Sequence, residues 1–490
     1  MNILIAATEA TPLAKAGGLG DMVSFLAKEW KALGHNPIVV IPKYGFIDTA
    51  KYGFENTYKT LIVQMGYWNE YAGLWQGKLP NSDVPVYLIE HNLYFDRKGI
   101  YGDPLEYSDN DRRFIFLSKA IFEVARAIGF SPDIIHANDY HTAFSMAFLK
   151  EFYKIDPLFS NAKGVFSVHN IAHQGRFNPN TALLYAGIGR DKFYPMSPYE
   201  FYGSVNAMKV GIAFADKVTT VSPTYAREVH YPYFAEGLEG IISAKGDDFI
   251  GILNGVDYSE WNPAVDNLIY YKYDINTLSQ KSQNKYALLK EFGLNGSNNL
   301  DAPLIGMVTR LTEQKGIDLV INKIENLLEN NDFKFIMLGS GDYSYEQFFN
   351  YLCARFPKQA ITFIGHNNVL SHKVIAASDY LLMPSRYEPC GLTQMFALKY
   401  GTIPIVRETG GLADTVIEYN PYKFTGTGFT FYQYNADDMA NAILRALNIY
   451  NSEPHWDKIR ENAMGQDFSI RKTAEKYLEL FESILFKPTT

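Results

Sequence analysis

Short runs rich in Ile and Val mark the first half of the chain at 2–8, 36–42, 84–90, 133–137 and 163–168. Segments with apolar residues at helical spacing lie between several of them, at 20–33, 108–128 and 141–152. Continuous apolar runs suit strands buried on both faces, and their alternation with helices predicts a parallel sheet covered on both sides. A helix over 203–215 and a strand from Lys217 to Ser222 continue the series. The pattern lapses over 258–302, a polar stretch with Asn-Gly-Ser-Asn-Asn at 295–299, and resumes at Pro303. Strands are then expected at 303–309, 333–338, 361–364, 380–383 and 403–406, with helices at 315–329, 345–355, 371–377, 391–400 and 436–450. Residues 469–486 end the chain as an amphipathic helix, with Tyr477, Leu478, Phe481, Ile484 and Leu485 on one face, expected to pack back on the first domain. The fold class is α/β, two doubly wound domains of 1–262 and 263–468 that part near Trp261-Asn262-Pro263, with 469–490 completing the first. Two such sheets imply a cleft, where ligands bind.

Composition narrows the ligand. A length of 490 residues exceeds one ordinary domain, in keeping with the two series. Lys and Arg number 45 against 53 Asp and Glu, and no basic run occurs, which disfavours a nucleic-acid surface. An anionic ligand must therefore be held by a few local cations and by backbone amides. The two cysteines, Cys353 and Cys390, cannot form a disulfide framework and fit a reducing compartment. The N-terminus lacks a basic region and reads as a first strand rather than a signal peptide. No run of about 18 apolar residues predicts a membrane span. Most of the 35 tyrosines are expected in the core, although aromatic faces also stack on sugars.

Candidate chemistry clusters where strands end. In Arg386-Tyr387-Glu388-Pro389-Cys390-Gly391-Leu392-Thr393, a carboxylate precedes a tight turn that opens an apolar helix of about a dozen residues. After the next strand, Thr409-Gly410-Gly411 opens another helix. Helix N-termini offer N–H groups and partial positive charge to a phosphate, so Glu388 is expected beside two anion-binding ends. Arg310 and Lys315 flank the turn after strand 303–309 and suit a diphosphate; a solvated surface loop is the competing reading. Lys15-Ala16-Gly17-Gly18-Leu19-Gly20-Asp21 follows the first strand; it is neither a dinucleotide fingerprint nor a Walker loop, and a plain tight turn competes with a phosphate loop. Gly339-Ser340-Gly341 sits where a base or ribose would lie. His136-Ala137-Asn138-Asp139-Tyr140-His141 and His169-Asn170-Ile171-Ala172-His173 match no zinc-hydrolase spacing, so a polar sugar pocket is preferred to a metal site. Cys390, at a helix start, invites a lowered thiol pKa, but a small residue in a tight turn is the preferred reading.

Over nearly its full length the chain resembles the bacterial glycogen synthases and plant starch synthases. The motifs that carry the resemblance are Lys15–Asp21, His136–His141, Phe166–Gly175, Thr220–Glu228, Leu253–Asp257, Arg310–Gly316, Pro384–Gly401 and Thr409–Val416. The resemblance implies a GT-B glycosyltransferase of family 5, with two Rossmann-like domains facing each other across a deep cleft, the first on the acceptor side and the second on the donor side. It implies transfer of glucose from ADP-glucose to the non-reducing-end 4-hydroxyl of an α-1,4-glucan such as glycogen, with retention, without metal or other cofactor. It implies a bacterial cytoplasmic location and no nucleic-acid or membrane partner, and leaves a homo-oligomer open. By motif, Lys15, Asp139, His169, Arg310, Lys315 and Glu388 are the expected catalytic residues. Gly17, Gly18, Asp21, Tyr101, His141, Asn254, Gly339, Gly341, Tyr387, Cys390, Gly391, Leu392, Thr393, Thr409, Gly410 and Gly411 are expected to contact substrate. Two positions depart from the family: Ala16 stands where Thr or Val is common, and Tyr140 replaces a usual Trp. Some related retaining transferases carry a second Glu where this chain has Phe396, which favours attack from the leaving group's own face over a glycosyl-enzyme. A transferase with another donor, a glucan phosphorylase and an inactive glucan-binding scaffold are the alternatives; retention of Lys15, Arg310, Lys315 and Glu388 argues against the scaffold.

Overall fold

The computed structural model describes residues 1–103, 105–294 and 300–486; the polar 295–299 and the terminal 487–490 lie outside it. The chain divides into two compact units, one from Met1 to Leu253 joined by the helix Ile470–Leu485, the other Asn254–Ser469. The division falls at Leu253 rather than at Asn262.

The first unit holds a nine-stranded sheet. Edge to edge, its strands are Phe249–Gly251, Lys217–Thr220, Lys163–Val168, Ile134–Asn138, Asn2–Ala6, Asn36–Pro42, Pro85–Glu90, Trp68–Lys78 and Glu55–Met65. The first seven pair in parallel, and Trp68–Lys78 is antiparallel to both neighbours. That hairpin was not legible as apolar runs because it alternates. Leu61, Val63 and Met65 are buried on one strand, and Glu70, Ala72 and Leu74 on the other, with a carboxylate among the inward positions. A small antiparallel sheet of Arg176–Phe177, Ser204–Asn206 and Glu200–Phe201 stands apart.

The terminal helix Ile470–Leu485 packs on the first unit through Thr473, Tyr477, Phe481 and Ile484. Trp30, fully buried, donates from Nε1 to the Ala474 carbonyl at 3.1 Å and meets the rings of Tyr477 and Phe481 edge-on. The Tyr477 hydroxyl reaches Ser167 Oγ and Thr219 Oγ1, both at 3.2 Å, beneath the sheet.

The second unit is a six-stranded, wholly parallel sheet in the order Ala360–Ile364, Lys334–Gly339, Leu304–Val308, Tyr380–Met383, Ile403–Arg407, Phe429–Phe431. Alternate residues serve opposite faces: Ile305 and Met307 enter one core, Leu304 and Ile336 the other. The stretch 258–302, expected to be irregular, contains the helix Lys281–Glu291. Three of its five buried positions, Lys281, Asn284 and Lys285, are polar, which hid it. Lys281 Nζ donates to the Ala376 carbonyl and Thr402 Oγ1, both at 2.7 Å, and Lys285 pairs with Asp379 at 2.9 Å. The apolar helix expected to run about a dozen residues from Gly391 is only Thr393–Lys399.

Candidate active site

Each unit gathers its share of the candidate residues at the carboxyl ends of its parallel strands. In the first, the segment after Asn2–Ala6 loops back before the helix Gly18–Ala32 begins. Lys15 pairs with Asp21 at 2.8 Å, and Thr11 Oγ1 donates to the same carboxylate at 2.8 Å, so Asp21 anchors both flanks of the loop. A side chain at Gly17 would meet nothing within 4 Å, so this glycine leaves open space beside the helix start rather than relieving a clash.

The strand Ile134–Asn138 ends in Asp139, held at φ 56°, a left-handed conformation that Asp tolerates better than most residues. Its Oδ1 accepts from the His169 amide at 2.8 Å, which ties together the ends of two neighbouring strands. Burial pushes the Asp139 carboxyl up to about 7, against the His169 and Asn170 amides that favour its charge. Burial likewise holds His169 down to about 4. Its tautomer follows from Asn138, whose Nδ2 donates to the carbonyls of Ala6 and His136. Asn138 Oδ1 is then an acceptor, and His169 Nε2, at 3.0 Å, must carry the proton. A neutral imidazole with its lone pair on Nδ1 can accept a hydrogen bond from a sugar hydroxyl. His141 is buried between Tyr101, stacked at 4.5 Å, and Phe114, edge-on at 4.6 Å, and its Nδ1 has no partner among the described residues. Tyr140 is 4% exposed, its ring set against Phe114 and Gly175. The departure from Trp is absorbed in this packing.

In the second unit, Lys315 Nζ lies 2.6 Å from Glu388, whose side chain is only 7% exposed, and Ser385 Oγ donates to the same oxygen at 3.0 Å. The loops carrying them are laced together: the Arg386 amide donates to the Gln314 carbonyl at 2.9 Å. The Gly410-Gly411 pair meets the Glu388 turn because both residues are glycine. A Cβ on Gly410 would lie 1.9 Å from the Glu388 carbonyl oxygen, and one on Gly411 2.0 Å from that of Cys390. The Gly411 amide donates to the Glu388 carbonyl at 3.1 Å. Thr409 occupies the N-cap position of that helix without a side-chain capping bond and is fully buried. Gln394 ties the turn before its own helix to the last residue of the Gly410–Thr415 helix, with Nε2 facing the carbonyls of Cys390 and Gly391 at 3.0 Å and Thr415 Oγ1 at 3.2 Å.

Arg310 is exposed, next to Leu311, which exchanges backbone hydrogen bonds with Ser340 and Asp342 at 2.8 Å. The Arg310 turn and the Gly339–Gly341 turn are thereby one surface. The two glycines have a packing reason of their own: added Cβ atoms would strike the carbonyl oxygens of Thr309 and Leu311. Asn254 donates its backbone N–H to the Cys390 sulfur, and its buried Oδ1 has no partner among the described residues. Cys390 is not activated by the helix start; burial pushes its thiol well up, which leaves the tight-turn reading. Tyr387, Leu392 and Thr393 flank the Glu388 turn, partly exposed.

A model of the starch synthase catalytic domain matches residues 2–244, and a model of glycosyl transferases group 1 matches residues 295–464. The glycogen synthase of Bacillus cereus strain B4264 is 41% identical over 485 residues, covering 99% of this chain and 100% of its own. The chain belongs to the glycogen and starch synthase family. Glycogen synthase 1 of Geobacter sulfurreducens is similar at 42% over 484 residues, 98% of this chain and 96% of that one. The catalytic domain of starch synthase IV from Arabidopsis thaliana, solved bound to ADP and acarbose, aligns with TM-score 0.90 at 33% identity over 99% of each chain. Sucrose-phosphate synthase from Thermosynechococcus elongatus aligns with TM-score 0.61 at 17% identity over 99% of this chain and 98% of that one, a likeness of fold alone. As a member of this family the protein is a glucosyltransferase with the GT-B fold. No helix among the described residues is long and apolar enough to cross a membrane.

Three residues that contact the candidates were missed in the sequence: Glu9 in the first unit, and Ser385 and Gln394 in the second. Glu9 and Ser385 each follow a parallel strand, which was a usable signal. Gln394 was hidden as the polar residue of an apolar helix.

The raised Asp139 pKa has a testable sign. Unfolded Asp titrates near ~3.9, so folding favours its protonated form, a stabilisation complete below that value and lost as pH rises through about 7. Asn keeps the left-handed backbone and the acceptor oxygen but cannot ionise. The melting-temperature gap, wild type minus Asp139→Asn, should therefore fall between pH 4 and pH 7 and level off above. A gap that widened with pH would contradict the assignment.

Proposed function

We propose that this synthase transfers glucose from ADP-glucose to the non-reducing-end 4-hydroxyl of an α-1,4-glucan such as glycogen, with retention and without a metal or other cofactor. The observation that carries the reading is the Lys315–Glu388 pair at 2.6 Å, buried in the second unit beside the Gly410-Gly411 turn. ADP bound to the Arabidopsis starch synthase supports an adenine nucleotide as the leaving group. The partnerless Asn254 Oδ1 and His141 Nδ1 support polar ligand contacts in each unit. A bacterial cytoplasmic location goes with this reading, and a homo-oligomer stays compatible with it.

Breaking the glycosidic bond leaves positive charge on the sugar and negative charge on the diphosphate. Arg310 and Lys315 stabilise the diphosphate, and the amides at Gly391–Thr393 assist. Within the first unit, Lys15 offers a cation, and His169 Nδ1 and Asp139 offer groups that order sugar hydroxyls. Glu388, committed to Lys315 and Ser385, positions the donor and is poorly placed to act as a free nucleophile. Phe396 stacks on Trp261 at 3.9 Å and 2°, so the position that holds a second Glu in some related transferases is given to packing here. The reaction then proceeds on one face of the sugar, with the departing phosphate taking the acceptor's proton. Trapping a glycosyl-enzyme by mass spectrometry would contradict this.

The donor is tested by incubating the chain with glycogen and ADP-, UDP- or GDP-glucose and measuring nucleotide release. Release is expected to be fastest from ADP-glucose; faster release from UDP- or GDP-glucose would refute the donor assignment.

A further inference from the structure

We propose that Glu9 is a positioning residue: with Tyr101 it forms a buried brace that sets the conformation of the loop 14–17, which presents Lys15. The proposal rests on the transfer reaction above for its kinetic consequence and on geometry alone for the brace.

Glu9 follows the strand Asn2–Ala6 and is 2% exposed. Both carboxylate oxygens are used. Oε2 accepts from the amides of Ala16 at 2.7 Å and Gly17 at 2.9 Å, and Oε1 accepts from the Tyr101 hydroxyl. Gly17 is the N-cap of the helix Gly18–Ala32 and has no side chain, and Glu9 accepts the amide of this N-cap residue, the bond an acidic residue makes in a capping box. Lys15 is paired with Asp21 rather than with Glu9, which leaves the lysine on the outside of the loop that Glu9 holds from within.

Tyr101 is fixed in turn. Its hydroxyl is 3.0 Å from Thr8 Oγ1, its ring stacks on His141, and its carbonyl accepts from Asn110 Nδ2 at 3.0 Å. Behind it lies Arg113, fully buried. The guanidinium donates to Asn110 Oδ1 at 2.6 Å and to the carbonyls of Tyr94 at 2.7 Å and Ile100 at 3.0 Å. Tyr94, Ile100 and Tyr101 are thus stapled to the helix Asn110–Ile128, and Tyr101 carries that rigidity to Glu9. Three donors converge on Glu9, and only a carboxylate can accept from all of them. Gln can hold both amides on its one oxygen only by turning its NH2 to Tyr101, whose hydroxyl must then accept instead of donate, so the charge-assisted bonds of the carboxylate are lost.

The test uses Glu9→Gln, Tyr101→Phe and the double variant of the full chain. Tyr101→Phe removes one oxygen and keeps the ring on His141, so it reports even where Glu9→Gln folds poorly. Hydrogen exchange is read by mass spectrometry over residues 10–20, with Ile470–Leu485 as the internal control. Each single variant should speed exchange over 10–20 and leave the control unchanged. With ADP-glucose, kcat should fall about tenfold to a hundredfold, as expected when a catalytic loop is misplaced, while KM for glycogen holds. The double variant should be no slower than the slower single, because both act through one brace. Unchanged exchange over 10–20 in Tyr101→Phe, or losses that multiply in the double variant, would overturn the proposal. If the wild type releases nucleotide from no donor, the function proposed above fails, and the exchange pattern decides the brace by itself.

Discussion

Replacing Lys315 with methionine is expected to lower turnover by about 10²–10³, the usual cost of removing one group that stabilises charge developing in a transition state. Lys315 has two jobs that the substitution removes together. On the proposed mechanism it faces the leaving diphosphate, and it neutralises Glu388 at 2.6 Å in a site where that carboxylate is 7% exposed. A buried carboxylate stripped of its cation also costs stability. The double variant Lys315→Met/Glu388→Gln separates these effects. It should recover the melting temperature lost by the single variant, since no charge is left stranded, yet stay slow. Steady-state kcat at saturating ADP-glucose and thermal unfolding of the three proteins check both statements. If the double variant regained wild-type turnover, Lys315 would be a structural counter-ion and nothing more. Arg310, exposed and without the buried carboxylate, should show the rate loss with little change in melting temperature.

Replacing Trp30 with alanine is expected to destabilise the first unit by about 3–5 kcal/mol, the range for deleting a large buried aromatic. Trp30 is the contact that joins the ends of the chain. Its ring meets His136, Tyr477 and Phe481, and its indole N–H donates to the Ala474 carbonyl. Loss of the ring leaves a cavity beneath the terminal helix and removes the indole hydrogen bond. Trp30→Phe should restore most of the packing and give up only the hydrogen bond, a cost of about 1 kcal/mol. Urea unfolding followed by circular dichroism checks the series. Because the two units can unfold separately, the affected transition must be the one that also responds to changes in Ile470–Leu485. A Trp30→Ala protein with an unchanged midpoint would mean that the terminal helix is not held by this contact.

The parallel strands were legible because Ile and Val fill both of their faces, and Arg310 and Lys315 stood out as candidate cations because they follow such a strand. The sequence was opaque where polar side chains do structural work. Lys281, Asn284 and Lys285 point inward on a helix with no apolar stripe, and Glu70 sits on the buried face of a hairpin. The same cause hid Glu9, whose partners are two backbone amides and a tyrosine far along the chain. The glycines illustrate the converse. Gly339, Gly341, Gly410 and Gly411 stood out as ligand-lining residues, and the structure adds that each also permits a backbone approach that a Cβ would block. Cys390 shows how local position misleads: a helix start suggested an activated thiol, and burial reverses it.

The central claim is that this family member lengthens an α-1,4-glucan with glucose from ADP-glucose, keeping the anomeric configuration. Proton NMR of a reaction containing the chain, ADP-glucose and a short maltooligosaccharide tests it directly. The account predicts an α-1,4 anomeric signal that grows in step with ADP release. A β-linked product, or ADP released with no growth of the glucan, would contradict it.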